Sequence, residues 1–302
     1  MAENEALLKL CLEKPNELER LLVYTDWLEE QGDPRAPYTR AQLEMRRAPE
    51  KEQKVHRAKL RSLYPIEHAA WCSRFEQVGV FGANLLEVPD LWWGVGLGER
   101  ETGATYQGFA YAQQPPLPVE RFDGSFEWLA RAPTRTTYRE EQEDTLWAPK
   151  IASLRERGFN VPTAFETLML NADLQLRVPS CTDNTFLSGK RGDEHPLDDP
   201  HETFLTFYTD SQSCVLWGIR LARGDDRYAP VLAGAPEFPE EEPPEGQPYF
   251  RFPELTFNAP TFETFVYRWW LENTLWFATQ FKKRPLNAEE QAYMDHLAAK
   301  TK

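Results

Sequence analysis

The chain has 302 residues and a formal net charge of −14, from 48 acidic and 34 basic side chains. Its 41% hydrophobic and 13% aromatic content is typical of a folded globular protein and excludes extensive disorder. The charge argues against nucleic-acid binding, which needs clustered Lys and Arg, and it permits either a basic partner or an acidic surface that serves solubility alone.

Neither a membrane span nor a secretion signal is indicated. No apolar run approaches the roughly 18 residues that a span needs, and residues 3–13 carry acids where a signal peptide carries basic residues. We therefore expect a cytoplasmic protein without a cofactor. The cysteines form no CxxC motif, which predicts reduced thiols, with two disulfides in a secreted chain as the alternative. They are Cys11, Cys72, Cys181 and Cys214.

Residues 1–64 are predicted to form a helical module. Leu21, Trp27 and Leu28 follow the three-to-four spacing of a buried helix face, and turn residues separate the periodic segments. Helices are predicted over residues 3–13, 15–31, 37–47 and 50–63. The basic residues of the last helix are interpreted as a solvated face, with a binding site as the alternative.

Three motifs in this module carry a family resemblance. They are Asp26-Trp-Leu-Glu29, Gly32-Asp-Pro34 and Arg40-Ala-Gln-Leu43. Together they resemble the small repeat-companion domain found at the N-termini of many planctomycete and myxobacterial proteins. The resemblance implies a helical module without known catalytic residues. Within it we expect Trp27 to anchor the core and Asp26 to pair with Arg40 or Arg20.

Residues 65–145 form a connecting region with weaker signals. Short strands are predicted at 78–81, 91–97 and 108–111. Whether they belong to the helical module or to the sheet that follows stays open. The run Gly94-Val-Gly-Leu-Gly98 differs from a dinucleotide-binding loop, because its spacing is GxGxG and the acids Glu99 and Glu101 would repel a pyrophosphate.

Residues 146–302 are predicted to form an α+β domain with a mainly antiparallel sheet flanked by helices. The clearest pattern is a three-stranded meander within 203–232, where every second residue around Trp217 is large and apolar. Pro230 lacks an N–H group, which predicts an edge position for the third strand. The predicted fold class of the chain is therefore α+β, with the helical module first.

Two further elements flank the meander. Alternating apolar residues predict a strand within 171–190, whereas the β pattern is lost after the meander. Aromatic residues then recur at helical spacing over 262–281, which predicts a core helix. This helix would place Trp269 and Trp276 in the core together with Trp217.

The second part of the chain also carries a family resemblance. It has the segment Gly158-Phe-Asn-Val-Pro162, a helix with Phe165-Glu-Thr-Leu-Met169, a meander with Trp217 in its second strand, and an aromatic helix near the end. Over about residues 146–282 this pattern resembles the SUKH superfamily, known mainly as bacterial immunity proteins that bind and neutralise toxins. The resemblance implies a protein-binding domain.

The predicted function is non-enzymatic protein binding by an immunity or regulatory protein that masks a basic toxin or effector. Clustered carboxylates would steer and cover a basic partner. The candidate contact residues are Asp193, Glu194, Asp198, Asp199, Glu240, Glu241 and Glu242. The alternative is an adaptor in a bacterial defence or signalling pathway, whose proline- and glutamate-rich loop at 236–248 is read by a protease or partner.

Catalytic and metal chemistry have little support in the sequence. No catalytic residue is predicted, since Ser211, Ser213 and Cys214 would each need a histidine base that one sequence does not reveal. His195 and His201 lie among carboxylates and are weak candidates for metal ligands, with a polar surface loop as the preferred interpretation. A hydrolase, the third hypothesis, rests on these two histidines alone.

Overall fold

The computed structural model describes residues 4–86, 88–97, 106–134, 146–189, 192–237, 251–281 and 283–300. An N-terminal helical region precedes a six-stranded, mainly antiparallel sheet with flanking helices, which confirms the predicted α+β class. In these ranges no helix has both the length and the apolar character of a membrane span.

The helical region contains five helices. They are α1 Glu5–Glu13, α2 Leu18–Glu30, α3 Ala36–Arg47, α4 Gln53–Leu63 and α5 Ala69–Gln77. The fifth extends the region beyond residue 64, into the segment predicted to connect the two parts. The strand predicted at 78–81 is wrong, because this segment is the turn that ends α5. There the Val80 N–H donates to the Phe75 carbonyl at 2.9 Å.

The predicted meander forms the middle of the sheet. The described residues contain two sheets. The small sheet pairs β1 Trp92–Val95 with β2 Tyr106–Phe109. The large sheet contains β3 Thr185–Phe186, β4 Glu194–Pro196, β5 Glu202–Thr209, β6 Leu216–Ala222, β7 Val231–Gly234 and β8 Thr256–Ala259. The large sheet has the order β3-β5-β6-β7-β8, with β4 also paired to β5. Leu205 lies opposite Ile219, and Trp217 lies opposite Ala233.

Two β predictions around the meander are wrong. Its third strand is not at an edge, because β8 pairs with the other side of β7. Pro230 precedes β7, and its carbonyl accepts from the Arg220 N–H at 3.0 Å, so the missing proline N–H interrupts nothing. The β pattern therefore continues after the meander, in the short strand β8.

The strand predicted from the alternation within 171–190 is wrong at the alternating residues, because Leu174, Leu176 and Val178 lie in a short helix and in the turn that follows it. Asn171 caps a short helix, since its side chain accepts from the Leu174 N–H at 3.1 Å. The remaining helices are α6 Glu127–Ala130, α7 Trp147–Glu156, α8 Thr163–Met169, α9 Ala172–Gln175, α10 Phe262–Trp276, extended by a π-helix at Phe277–Phe281, and α11 Ala288–Lys300. Within residues 171–189, only β3 forms a strand.

Strands β1 and β2 pack on the second part of the chain. Gly94 lies within β1, where a Cβ atom would collide with the Trp92 indole and the Glu272 carboxylate of α10. Trp92 Nε1 donates to that carboxylate at 3.2 Å. The glycine is therefore explained by close packing of a strand on a helix and not by a phosphate-binding loop; Gly98 lies outside the described residues.

One hydrophobic cluster joins the helices to the sheet, from Leu8 through Tyr64 to Trp269. Trp217 and Trp269 are fully buried in it. Trp27 and Trp276 were also expected in the core, but both are half-buried at its margin. On α2 the core position belongs to Tyr24, whose ring stacks on Trp27 at a centroid distance of 6.0 Å. Trp276, at the end of α10, packs against a smaller second cluster.

Candidate functional site

A cleft of about 820 Å³ lies between the helical region and the α+β part. Five separate segments form its walls: residues 64–73, 122–124, 155–164, 227–229 and 260–263. Phe159 and Phe262 are buried in its floor, whereas Ile66 and Val161 are half-buried and face it. The floor is thus apolar and continuous with the core.

One wall is the Gly158–Pro162 segment on which the second family resemblance depends. Gly158 adopts φ +85° directly after α7, a conformation that favours glycine. Asn160 then fixes the segment to the turn after β6, because its side-chain amide donates to the Gly224 and Asp226 carbonyls, each at 2.9 Å. Asn160, which was considered in the sequence only as part of the family motif, therefore stabilises the shape of the cleft.

A further wall is held by Glu263, in the first turn of α10. Its carboxylate accepts from the Gly124 N–H at 2.8 Å and from Trp128 Nε1 at 2.9 Å. Burial raises the pKa of Glu263 to about 7, against the opposing effect of these two donors. Thr261 caps the same helix by accepting from the Thr264 N–H.

Charged side chains surround the cleft. Arg155, which is exposed, pairs with the half-buried Glu166 at 2.7 Å. Glu67, Asp123 and Arg227 are exposed around the opening. The apolar floor of the cleft is therefore surrounded by charged side chains.

Buried polar groups lie in and behind the wall formed by α4 and α5. Tyr64 and Ser73 line the cleft, and Glu76 follows Ser73 by one helical turn. Burial raises the pKa of Glu76 to about 8. The Ser73 hydroxyl opposes this shift, although the two groups form no hydrogen bond of normal geometry.

The described acidic residues that were predicted to contact a partner lie outside this cleft. Asp193 is half-buried, its N–H donates to Thr206 Oγ1 at 2.9 Å, and burial raises the pKa of its carboxyl. Glu194 pairs with Arg157 at 2.7 Å. Only Asp198 and Asp199 are exposed, and Glu240, Glu241 and Glu242 lie outside the described residues. The four described carboxylates therefore do not form one exposed surface.

The histidines proposed as weak metal ligands occupy different environments. His195 is buried in β4, against the ring of Phe252 at a centroid distance of 5.0 Å, so the expected surface loop is partly a strand. His201 is exposed in the turn before β5, and its N–H donates to Asp199. Within the described ranges, no group of three or more His, Cys, Asp or Glu could hold a metal ion.

The serines and cysteine considered as nucleophiles lie in the turn between β5 and β6. There the Asp210 carboxylate accepts from the Cys214 and Val215 N–H groups, at 2.7 and 3.3 Å. These residues therefore belong to an Asp-stabilised hairpin turn.

Comparison with known proteins returns no relative: no family model, no curated protein and no solved structure matches the chain. Both family resemblances therefore remain predictions from the motifs.

The cleft could not be predicted from the sequence because its walls come from five distant segments. The one signal that pointed there was the Gly158–Pro162 motif, which sequence alone assigned to the fold and not to a binding site.

Proposed function

We propose that this protein is a non-enzymatic binding protein of the cytoplasm, which holds a segment of a partner protein in the cleft between its two parts. The partner would be a toxin or effector that binding masks, as expected of an immunity or regulatory protein. The observation that supports this proposal is the cleft itself, with its apolar floor and charged boundary.

The dimensions suit a peptide segment or a few side chains of a partner. Ligand-binding pockets commonly enclose about 300–1,000 Å³, and this cleft encloses about 820 Å³. Half-buried apolar side chains such as Ile66, Val161 and Pro162 would gain burial on contact with a partner. The surrounding charges would fix its orientation.

The cleft is also held in shape before a partner arrives. Asn160 fixes the wall at residues 158–162 through two hydrogen bonds to the β6–β7 turn. Glu263 fixes the wall at residues 122–124 through hydrogen bonds from Gly124 and Trp128. A surface that is already ordered loses less conformational entropy on binding. This rigidity supports recognition of a defined partner.

The charge of the chain indicates the chemistry of that partner. A net charge of −14 favours association with a basic protein through long-range attraction. The Gly158–Pro162 wall is also the segment that resembles the SUKH pattern, which is consistent with an immunity role.

Site-specific photo-crosslinking in the native host tests this proposal. A photoreactive residue replaces Val161 in the cleft wall, and a matched variant carries it at Val55, which is 74% exposed on α4. We expect one protein to crosslink at position 161 and not at position 55, with its crosslinked peptide identified by mass spectrometry. A co-purifying protein that crosslinks only at position 55 would place binding elsewhere, and no crosslink at position 161 would overturn the proposal.

A further inference from the structure

The Gly158–Pro162 wall of the cleft continues the large sheet. β7 pairs with only the first four residues of β6. Further along β6 the wall segment takes the place of β7, because Phe159 forms an antiparallel bridge with Arg223. The Asn160 N–H donates to the Ala222 carbonyl at 3.1 Å. The wall is therefore a short edge of the sheet, and this edge lines the cleft.

The main chain of this edge alternates in direction. In an extended chain, the N–H and C=O of one residue point to one side and those of the next residue to the other. Asn160 faces β6, whereas the Phe159 N–H turns away and donates to the Leu154 carbonyl of α7 at 3.0 Å. Val161 precedes a proline, which favours extended backbone, and Pro162 is itself extended with φ −63° and ψ 141°. The N–H and C=O of Val161 therefore face away from β6, as the Phe159 C=O does.

The groups that face away from β6 are open to a partner. In the part of the chain that the structure describes, no hydrogen bond engages the N–H or C=O of Val161 or the C=O of Phe159. Unpaired main-chain groups at a sheet edge are a template for a further strand. Extended peptides that bind such edges gain affinity from the main chain and specificity from side-chain pockets. Here the apolar floor lies beside the edge, since Phe159 is buried in it and the half-buried Val161 faces it.

The charged side chains of the cleft indicate what kind of segment fits. The exposed carboxylates of Glu67 and Asp123 line it. Of the two arginines among its described lining residues, Arg155 is already paired with Glu166 at 2.7 Å, and Arg227 follows two aspartates in the chain. Together with the net charge of −14, this arrangement favours a basic segment over an acidic one.

We propose that the main chain of residues 159–161 pairs with an extended, basic segment of the partner, which adds a short strand to the sheet inside the cleft. This inference rests on the proposed function and specifies how the partner is held. The C=O groups of Phe159 and Val161 accept from two partner N–H groups that are two residues apart, and the Val161 N–H donates to a partner carbonyl. Side chains alternate along a strand. The partner residues opposite Phe159 and Val161 are therefore apolar and pack on the floor, and the residues between them carry Lys or Arg toward the opening.

N-methylation of a bound peptide tests this pairing. The probe is a synthetic peptide with the sequence that crosslinks at position 161, and in each member of a series one residue is N-methylated, which removes one N–H and keeps the side chain. We expect the affinity for the full chain to fall at least about fivefold at two positions that are two residues apart, and to change by less than about twofold at the position between them. Uniform losses, losses at adjacent positions, or a peptide that does not bind on its own would overturn the strand pairing.

Two variants of the chain give a second test. Val161→Pro removes the N–H of the edge and is compatible with extended backbone, whereas Val161→Ile keeps the N–H and a branched apolar side chain. We expect Val161→Pro to weaken binding of the peptide at least about fivefold and Val161→Ile to change it less than about twofold. Melting temperatures of both variants establish that they are folded. Equal affinities would overturn the pairing and, with crosslinking at position 161 observed, would leave the proposed function in place.

Discussion

Arg61 on α4 lies 3.0 Å from the carboxylate of Asp226, 165 residues further along the chain in the turn after β6. The same carboxylate accepts from the fully buried Arg220 at 2.7 Å. Next to this pair the Arg227 N–H donates to the Arg61 carbonyl at 3.1 Å. The helical region and the sheet are thus joined by ionic and backbone contacts as well as by the common core.

Removal of the Asp226 charge should destabilise the whole chain. Asp226→Asn leaves Arg220, which is 0% exposed, without one of its two carboxylate partners. Breaking a buried ion pair from one side costs about 3–5 kcal/mol, and the remaining partner Glu202 reduces this to about 2–3 kcal/mol. Urea denaturation measures the loss. Glu166→Gln, which breaks the exposed pair with Arg155, should cost less than about 1 kcal/mol and serves as the control; equal losses would contradict the account.

Glu76 should make the protein less stable as the pH rises. Its folded pKa of about 8 lies above the ordinary value of 4.5, so the folded state binds this proton more tightly than the unfolded state does. Stability is therefore lost progressively as the pH rises from about 4.5 to about 8. Between about pH 5 and about pH 8, the free energy of unfolding of the natural chain should fall relative to Glu76→Gln by on the order of 3 kcal/mol.

Chemical denaturation at both pH values measures this difference. Glu30→Gln, at an exposed position of α2, should keep the slope of the natural chain. If the free energy of unfolding changed with pH in parallel for the natural chain and Glu76→Gln, folding would not raise the pKa of Glu76, and the prediction would be wrong.

Gly94→Ala should disturb the contact between β1 and α10. The added methyl group meets the Trp92 indole and the Glu272 carboxylate, which are joined to each other by a buried hydrogen bond. We expect a loss of about 1–3 kcal/mol of unfolding free energy, as for other overpacked sites. Gly82→Ala is the matched control, because its Cβ would meet only the Met45 methyl at 3.6 Å. Similar melting temperatures for the two variants would contradict this packing.

A large side chain in the cleft should block the partner. Ala164 is half-buried in the first turn of α8 and lines the cleft. Ala164→Arg should weaken binding of the crosslinked partner at least about tenfold, within the range of interface hot spots. Val55→Arg, at an exposed position on α4, should leave the affinity unchanged. Calorimetric titration compares the two, and equal affinities would exclude the cleft as the docking site.

Local patterns predicted the elements at the centre of the core. The alternation around Trp217 identified the meander, and the aromatic spacing identified α10, because both elements pack against the core throughout. The strand within 171–190 was wrong because the cap at Asn171 decides that segment. Strand β8 was missed because Phe257 is its only large apolar residue, so the sequence shows no clear alternation there.

The site was less predictable than the fold. Sequence reasoning selected acids by their density, but folding pairs Glu194 with Arg157 and partly buries Asp193. Glu76 has no sequence signal, since an acid near the end of an amphipathic helix is expected to face solvent. Its burial depends on Tyr64 and Tyr228, which come from elements far apart in the chain.

The central claim is that a partner occupies the cleft, and hydrogen exchange of the complex tests it most directly. The protein is compared alone and bound to the partner that crosslinking identifies. We predict slower exchange on binding in residues 66–73 and 158–164, which line the cleft. Protection confined to residues 197–202, around the exposed Asp198 and Asp199, with no change in the cleft walls, would contradict the account.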